Sequence, residues 1–74
     1  MNLRLIRLSD VRKMTGLSRS GIYKYISEDR FPQSVNLGTR AIGFVEHEVQ
    51  YWIEQRIENR DTNILSGYDV EVEL

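Results

Sequence analysis

Two short helical patterns separated by a glycine stand near the beginning of the chain. Leu8, Val11 and Met14 recur every three residues, which predicts a first helix with one apolar stripe. Ser9 is predicted to cap this helix, because a serine hydroxyl can accept from the free amides of the first turn. Gly16 is predicted to end it, since glycine adopts the positive φ that a tight helix end requires.

The second pattern predicts a helix that begins after a Ser18 cap and runs to about Ser27. Ile22 and Ile26 share its apolar face. Pro32 prevents continuation, because the residue before a proline disfavours the α region. The opposite arc of this helix is polar and consists of Arg19, Ser20, Tyr23, Lys24 and Ser27.

A β-hairpin is predicted after the second helix. Residues 34–37 and 41–45 are β-prone, and Gly38, Thr39 and Arg40 form the loop between them. A third helix is predicted from about Glu46 to Arg60, because apolar residues there follow the helical period. Its expected core face consists of Val45, Val49, Trp52, Ile53 and Ile57.

This order of elements predicts a mainly α fold with a small β-hairpin, a winged helix-turn-helix of three helices plus a wing. The domain is expected to cover residues 1–60, in which residues 3–8 form a brief strand or an extended arm. Residues 61–74 lack a helical period and form an acidic tail. The tail is disordered or an edge strand, since Tyr68, Val70, Val72 and Leu74 alternate with acids near its end.

Composition argues for a binding module rather than an enzyme. The chain has 74 residues, no Cys and one His, which excludes disulfides and a thiolate zinc site and makes a metal or cofactor unexpected. No acid–base pair, activated nucleophile or phosphate-cradling loop is present. The apolar runs are too short to span a membrane, and the start does not have the pattern of a signal peptide. A reducing cytoplasm, in association with the nucleoid, is the expected location.

Charge is distributed unevenly along the chain. Residues 1–45 carry eight Lys or Arg and three Asp or Glu, whereas residues 61–74 carry four acids and no base, although the net charge is only -1. A basic front part indicates an anionic partner.

The second helix and the hairpin loop together predict a surface that binds duplex DNA. Polar side chains on the outward arc can reach phosphates and base edges in a major groove, and the helix N-terminus offers free amides to phosphate oxygens. The loop can meet the adjacent backbone or the minor groove. The candidate DNA-binding residues are Ser18, Arg19, Ser20, Tyr23, Lys24, Thr39 and Arg40.

Other residues of these segments are interpreted as structural or solvated. Tyr23 is either a DNA contact or a half-exposed packing residue. Trp52 and Phe44 are expected in the core rather than as platforms for base stacking. The remaining basic residues of the first segment are interpreted mainly as solvated charges, with contact to a DNA phosphate as the alternative. They are Arg4, Arg7, Arg12 and Lys13.

The run LSDVRKMTGLSRSGIYKYI, followed by RFPQSVNLGTRAIGFVEHEVQYWI, resembles the AlpA-type phage and prophage regulators. These belong to the larger excisionase and MerR-like winged-helix group. The resemblance covers residues 5–57 and implies a small DNA-binding protein that regulates prophage or mobile-element genes. It implies that Arg19, Ser20, Tyr23 and Lys24 lie on the recognition helix and Arg40 on the wing.

Three positions depart from the family pattern. Asp29 stands where glycine is usual, and Asp tolerates a left-handed cap better than most residues. Phe44 stands where tryptophan is usual. Gly21 replaces a residue that commonly carries a hydroxyl, which weakens the helix by up to about 1 kcal/mol relative to Ala.

The sequence leaves two alternative functions open. One is an excisionase-like factor, which bends DNA to set the direction of recombination. The other is a protein-interaction adaptor without DNA binding, to which the acidic pI of 5.7 gives some weight. The expected partner is double-stranded DNA, bound by a homodimer or a cooperative array because one small domain makes few contacts. RNA polymerase or an integrase is the candidate protein partner.

Overall fold

The computed structural model describes residues 3–65, and the side chains of residues 3–61. It contains three helices and a small antiparallel sheet of three strands, which confirms the predicted mainly helical, winged helix-turn-helix class. The elements in chain order are β1 (Leu5–Ile6), α1 (Leu8–Thr15), α2 (Arg19–Ser27), β2 (Val35–Asn36), β3 (Ile42–Val45) and α3 (Glu46–Leu65).

The first helix begins earlier than predicted, so the assignment of Ser9 as its cap is wrong. Arg7 is the N-cap residue, with extended backbone at φ -91° and ψ 165°, and Ser9 lies inside the first turn. The carboxylate of Asp10 accepts from the Arg7 amide at 3.1 Å. An acid three residues into a helix can satisfy the cap residue's amide in this way. The start is fixed by β1, whose pairing ends at Ile6.

The turn between α1 and α2 follows the prediction. Gly16 has φ 78°, and its amide donates to the Arg12 carbonyl at 2.8 Å. Ser18 has extended backbone and caps α2, since its Oγ accepts from the Gly21 amide at 3.0 Å. The two helices are therefore joined by a short, fully defined turn.

The end of α2 is a Schellman motif with an aspartate at the left-handed position. Asp29 has φ 60°. The Arg30 amide donates to the Tyr25 carbonyl at 2.8 Å, and the Asp29 amide donates to the Ile26 carbonyl at 3.0 Å. This pair of bonds is the one that glycine usually supports, and here Asp29 accommodates it.

β3 is the central strand of the sheet, in the order β1-β3-β2. Ile6 pairs with Phe44 on one side of β3, and Val35 pairs with Gly43 on the other. The residues before α1 are therefore a brief strand, the first of the two forms expected for them. β2 and β3 form the wing, whose loop is closed by the Leu37 amide donating to the Ala41 carbonyl at 2.8 Å.

The core contains one apolar residue or more from every helix and from the sheet, namely Ile6, Val11, Ile22, Phe31, Phe44 and Val49. Phe44 is fully buried, as expected for a core aromatic. Trp52 and Ile53 are partly buried against the core, but Ile57 is 46% exposed, so its assignment to the core is wrong. Ile57 lies one turn beyond Ile53 along α3, past the residues that contact the core.

The predicted end of α3 at Arg60 is also wrong, because the helix continues to Leu65. Residues 61–65 contain neither Gly nor Pro, so nothing in them stops a helix. Residues 66–74, which include the alternating Tyr68, Val70, Val72 and Leu74, lie outside the described residues. None of the helices within residues 3–65 has the length and apolar character needed to cross a lipid bilayer.

Candidate nucleic-acid interface

The polar arc of α2 faces away from the core. Ile22 is fully buried, while Tyr23 is 44% exposed. The neighbouring polar residues Arg19, Ser20 and Lys24 are exposed as well. With 3.6 residues per turn, Ser20 and Lys24 lie nearly opposite Ile22, whereas Arg19 and Tyr23 lie on the flanks of the polar arc.

Three separate segments of the chain meet around one depression of 340 Å³ on this side of the molecule. The segment before and at the start of α1, the N-terminal half of α2 and the end of the wing loop each contribute to it. We call this depression the basic basin, and its lining residues are Arg7, Leu8, Ser9, Arg19, Tyr23, Arg40, Ala41 and Ile42. The fold therefore brings together three of the seven candidate residues, Arg19, Tyr23 and Arg40.

The basic basin includes one cation that sequence analysis interpreted as a solvated charge. Arg7 follows the buried Ile6 and precedes α1, so its side chain leaves the sheet on the side opposite to the core. The alternation along β1 was a signal for this outward direction. The residues that share the basic basin with Arg7 come from α2 and the wing. Their proximity depends on tertiary packing, which a local sequence pattern does not predict.

The other candidate residues lie outside the basic basin. Lys24, Ser20 and Thr39 are exposed, and none of them lines it. The Ser18 hydroxyl caps α2 and lies 3.4 Å from the Ser20 hydroxyl. The amides of Arg19 and Ser20 find no acceptor among the described residues, so the N-terminus of α2 keeps two outward donors.

The cations of the polar arc and the basic basin have no ion-pair partner in the part of the chain that the structure describes. Within residues 3–61, the ion pairs are Arg4–Glu46 at 3.7 Å, Arg30–Glu28 at 3.4 Å and Arg60–Asp61 at 2.9 Å. None of them involves Arg7, Arg19, Lys24 or Arg40. A cluster of cations without carboxylate partners produces a positive potential that attracts anions. In the same described part of the chain, no three His, Asp or Glu residues are grouped to hold a metal ion.

A second concave surface lies elsewhere on the molecule. It is a groove of 820 Å³ between the α2–β2 connection and the first half of α3, and its walls include Phe31, Pro32, Val35, Tyr51 and Trp52. The groove shares no lining residue with the basic basin. The two surfaces also differ in chemistry, since one is cationic and the other mainly apolar.

Comparison with known proteins identifies the family of the chain. The profile of the family described as Prophage CP4-57 regulatory protein (AlpA) matches residues 4–57. This chain belongs to the AlpA family. The matched range contains every residue of the basic basin and ends at Ile57, where α3 leaves the core.

Two relatives of this AlpA-family chain come from enterobacteria and their phages. It is 32% identical over 60 residues to the DNA-binding transcriptional activator AlpA of Escherichia coli strain K12, covering 73% of this chain and 86% of the relative. It is 38% identical over 66 residues to the uncharacterized protein ORF88 of Enterobacteria phage P4, covering 89% of this chain and 70% of that protein. Among solved structures, none matches the chain.

Proposed function

We propose that this AlpA-family chain is a sequence-specific DNA-binding transcriptional regulator of prophage or mobile-element genes. The observation that carries the proposal is the basic basin, which is lined by arginines from α2 and the wing that form no ion pair within residues 3–61. The relative in Escherichia coli, which is a DNA-binding transcriptional activator, supports the same function.

In this proposal α2 is the recognition helix and enters a major groove. An α-helix fits the width of that groove, and side chains near its N-terminus reach base edges. Arg19, Ser20, Tyr23 and Lys24 are the residues that contact DNA from α2. The unused amides of Arg19 and Ser20 donate to a phosphate oxygen, which the positive end of the helix dipole favours.

The wing contributes a second contact in the adjacent minor groove or its backbone. Thr39 and Arg40 are exposed in the loop between β2 and β3. The loop is ordered by two hydrogen bonds, one closing it from Leu37 to Ala41 and one from the Gly38 amide to Asn36 Oδ1 at 3.1 Å. A preordered loop loses less conformational entropy on binding.

One domain of this size offers few phosphate contacts, so we propose that it acts as a homodimer or a cooperative array on DNA. A regulator of transcription would contact RNA polymerase, whereas an excisionase-like factor would contact an integrase. DNA bending separates these two forms of the proposal. Footprinting combined with a circular-permutation gel-shift assay tests them: an excisionase-like factor should cover tandem sites beside an attachment site and bend them, whereas an activator should cover a site at the promoter that it regulates.

The proposal is tested by removing two cations from α2. Arg19→Ala with Lys24→Ala is expected to keep the melting temperature and to weaken binding to a duplex selected from a random-sequence pool. If both side chains meet phosphates, the slope of log affinity against log salt falls by about 2. The affinity of each variant is measured by titration at several salt concentrations.

The matched control is Arg4→Ala with Arg60→Ala. It changes the net charge by the same amount but removes two arginines that already pair with Glu46 and Asp61. We expect it to bind the selected duplex nearly as well as the unmodified chain does. Equal losses from both double variants would mean that net charge alone controls binding, and no loss from either would exclude α2 from the interface.

A further inference from the structure

We infer that the basic basin binds one phosphodiester of the DNA backbone and that Arg7 is one of the residues that hold it. The inference rests on the proposed function and adds to it a phosphate site and a contact residue outside both the recognition helix and the wing. Its starting point is that Arg7 lines the same depression as Arg19 and Tyr23 of α2 and Arg40 of the wing.

The geometry of B-DNA identifies the ligand. A major groove and the next minor groove are separated by a single sugar–phosphate backbone. If α2 occupies the major groove and the wing reaches the minor groove, that backbone crosses the surface between them. The basic basin fits that position, since it is lined both by α2 and by Arg40, Ala41 and Ile42 of the wing.

The chemistry of the basic basin suits a phosphodiester. Three arginines from separate segments of the chain line it, and within residues 3–61 none of them forms an ion pair. A guanidinium binds two phosphate oxygens at once through its planar fork of donors. An anion in the basic basin would also relieve the mutual repulsion of these like charges.

The backbone of Arg7 is held firmly, so its side chain starts from a defined position. Its amide donates to the Asp10 carboxylate at 3.1 Å, and its carbonyl accepts from the Asp10 and Val11 amides at 2.9 and 3.1 Å. The preceding residue, Ile6, is buried and paired with Phe44. Asp10 bonds the Arg7 backbone rather than its guanidinium, which leaves that charge available for an anion.

The test compares Arg7→Gln with Arg4→Gln, which removes the same charge three residues away, where Arg4 pairs with Glu46. Loss of one phosphate contact lowers the salt slope by about 0.9 and the affinity roughly eightfold at 0.1 M salt. Phosphate contacts carry no base information, so Arg7→Gln should weaken the selected duplex and a scrambled one alike. Arg4→Gln should leave slope and affinity unchanged, and both variants should melt as the unmodified chain does.

Single methylphosphonate linkages, placed one at a time along the selected duplex, locate the contact. The unmodified chain should lose affinity at one linkage between the two grooves, and Arg7→Gln should lose less there, because only Arg19 and Arg40 remain to hold that phosphate. An equal loss in both proteins would mean that Arg7 does not contact this phosphate. If Arg7→Gln matches Arg4→Gln while Arg19→Ala with Lys24→Ala weakens binding, the phosphate site at Arg7 is wrong and the proposed function stands. If the unmodified chain binds no duplex at all, both are wrong.

Discussion

Ser18 links the stability of α2 to the donors that α2 presents at its N-terminus. Its hydroxyl takes up the Gly21 amide, so the amides of Arg19 and Ser20 are the ones left pointing outward. The fit is close, since a Cβ built on Gly21 would lie 3.1 Å from Ser18 Oγ. The absence of a side chain at residue 21 therefore gives the cap room.

Replacing Ser18 should cost stability that replacing Ser9 does not. Ser18→Ala removes a cap bond and is expected to lower the free energy of unfolding by about 1 kcal/mol. Ser9→Ala puts a better helix former at an exposed site inside α1 and should be neutral or slightly stabilising. Urea unfolding followed by circular dichroism measures both. Equal losses would mean that Ser9, not Asp10, governs the start of α1.

Local patterns predicted residues whose roles are set within a few positions, such as Gly16 and Ser18, and the family resemblance indicated the left-handed cap at Asp29. They failed where a role depends on distant packing. Ser9 was assigned as the cap because serine is a common cap residue. The helix in fact begins at Leu8, directly after the pairing of β1 with β3 ends at Ile6, and no local pattern in the sequence indicates that pairing. Arg7 was interpreted as solvated because its neighbours across the basic basin come from elements 12 and more residues away.

At the scale of elements, Trp52 fixes α3 against the connection between α2 and the wing. Its indole Nε1 donates to the Arg30 carbonyl at 2.8 Å. Its ring meets Phe31 edge to face at a centroid distance of 4.8 Å, and the Arg56 guanidinium lies 5.1 Å from the ring centre. These contacts hold α3 against the segment through which the chain passes from α2 to the wing.

The helical period of α3 predicted correctly which residues of its first half face the core, but it failed for the second half of the helix. Val49 is fully buried, and Ile53 packs against the core. Ile57 follows the same period but has no element beneath it, because periodicity reports the side of a helix and not the extent of its partner. The same limit explains why the helix end was predicted too early.

Truncating Trp52 should therefore unfold the domain or nearly so. Trp52→Ala is expected to cost about 3–5 kcal/mol, comparable with the whole stability of a domain this small. Trp52→Phe keeps an aromatic ring on Phe31 but loses the bond to the Arg30 carbonyl, and should cost about 1–2 kcal/mol. Thermal melting of both variants tests this, and a cooperative melt of Trp52→Ala at the parent temperature would contradict the packing of α3.

At the scale of the whole molecule, the end of the chain is acidic whereas residues 1–45 are basic. Residues 66–74 carry Asp69, Glu71 and Glu73 and no base, so they supply three of the eleven acidic residues from nine positions. The net charge of -1 thus conceals a surface that is positive around the basic basin. DNA binding by such a chain depends on which of these charges lies nearest to the phosphates.

Neutralising the acids of residues 66–74 should strengthen DNA binding at low salt. The triple variant Asp69→Asn, Glu71→Gln and Glu73→Gln moves the formal net charge from -1 to +2. Its advantage over the unmodified chain should shrink as salt rises, because the Debye length falls from about 10 Å at 0.1 M to about 3 Å at 1 M. Titrations of the selected duplex over this range measure the effect.

The apolar residues that alternate with these acids provide the contrasting experiment. Val70→Ser with Val72→Ser leaves the charge unchanged but weakens any edge strand that these residues form with the wing or with a second subunit. If the acids act by charge alone, this double variant should keep the melting temperature, the elution volume on a sizing column and the DNA affinity of the parent. A lower melting temperature, or a dimer that dissociates, would instead assign residues 66–74 to the folded domain or its interface. In that case the acids would be held at a fixed distance from the basic basin. The change in DNA affinity of the triple variant would then depend on that distance, and not on a general repulsion between an acidic segment and DNA.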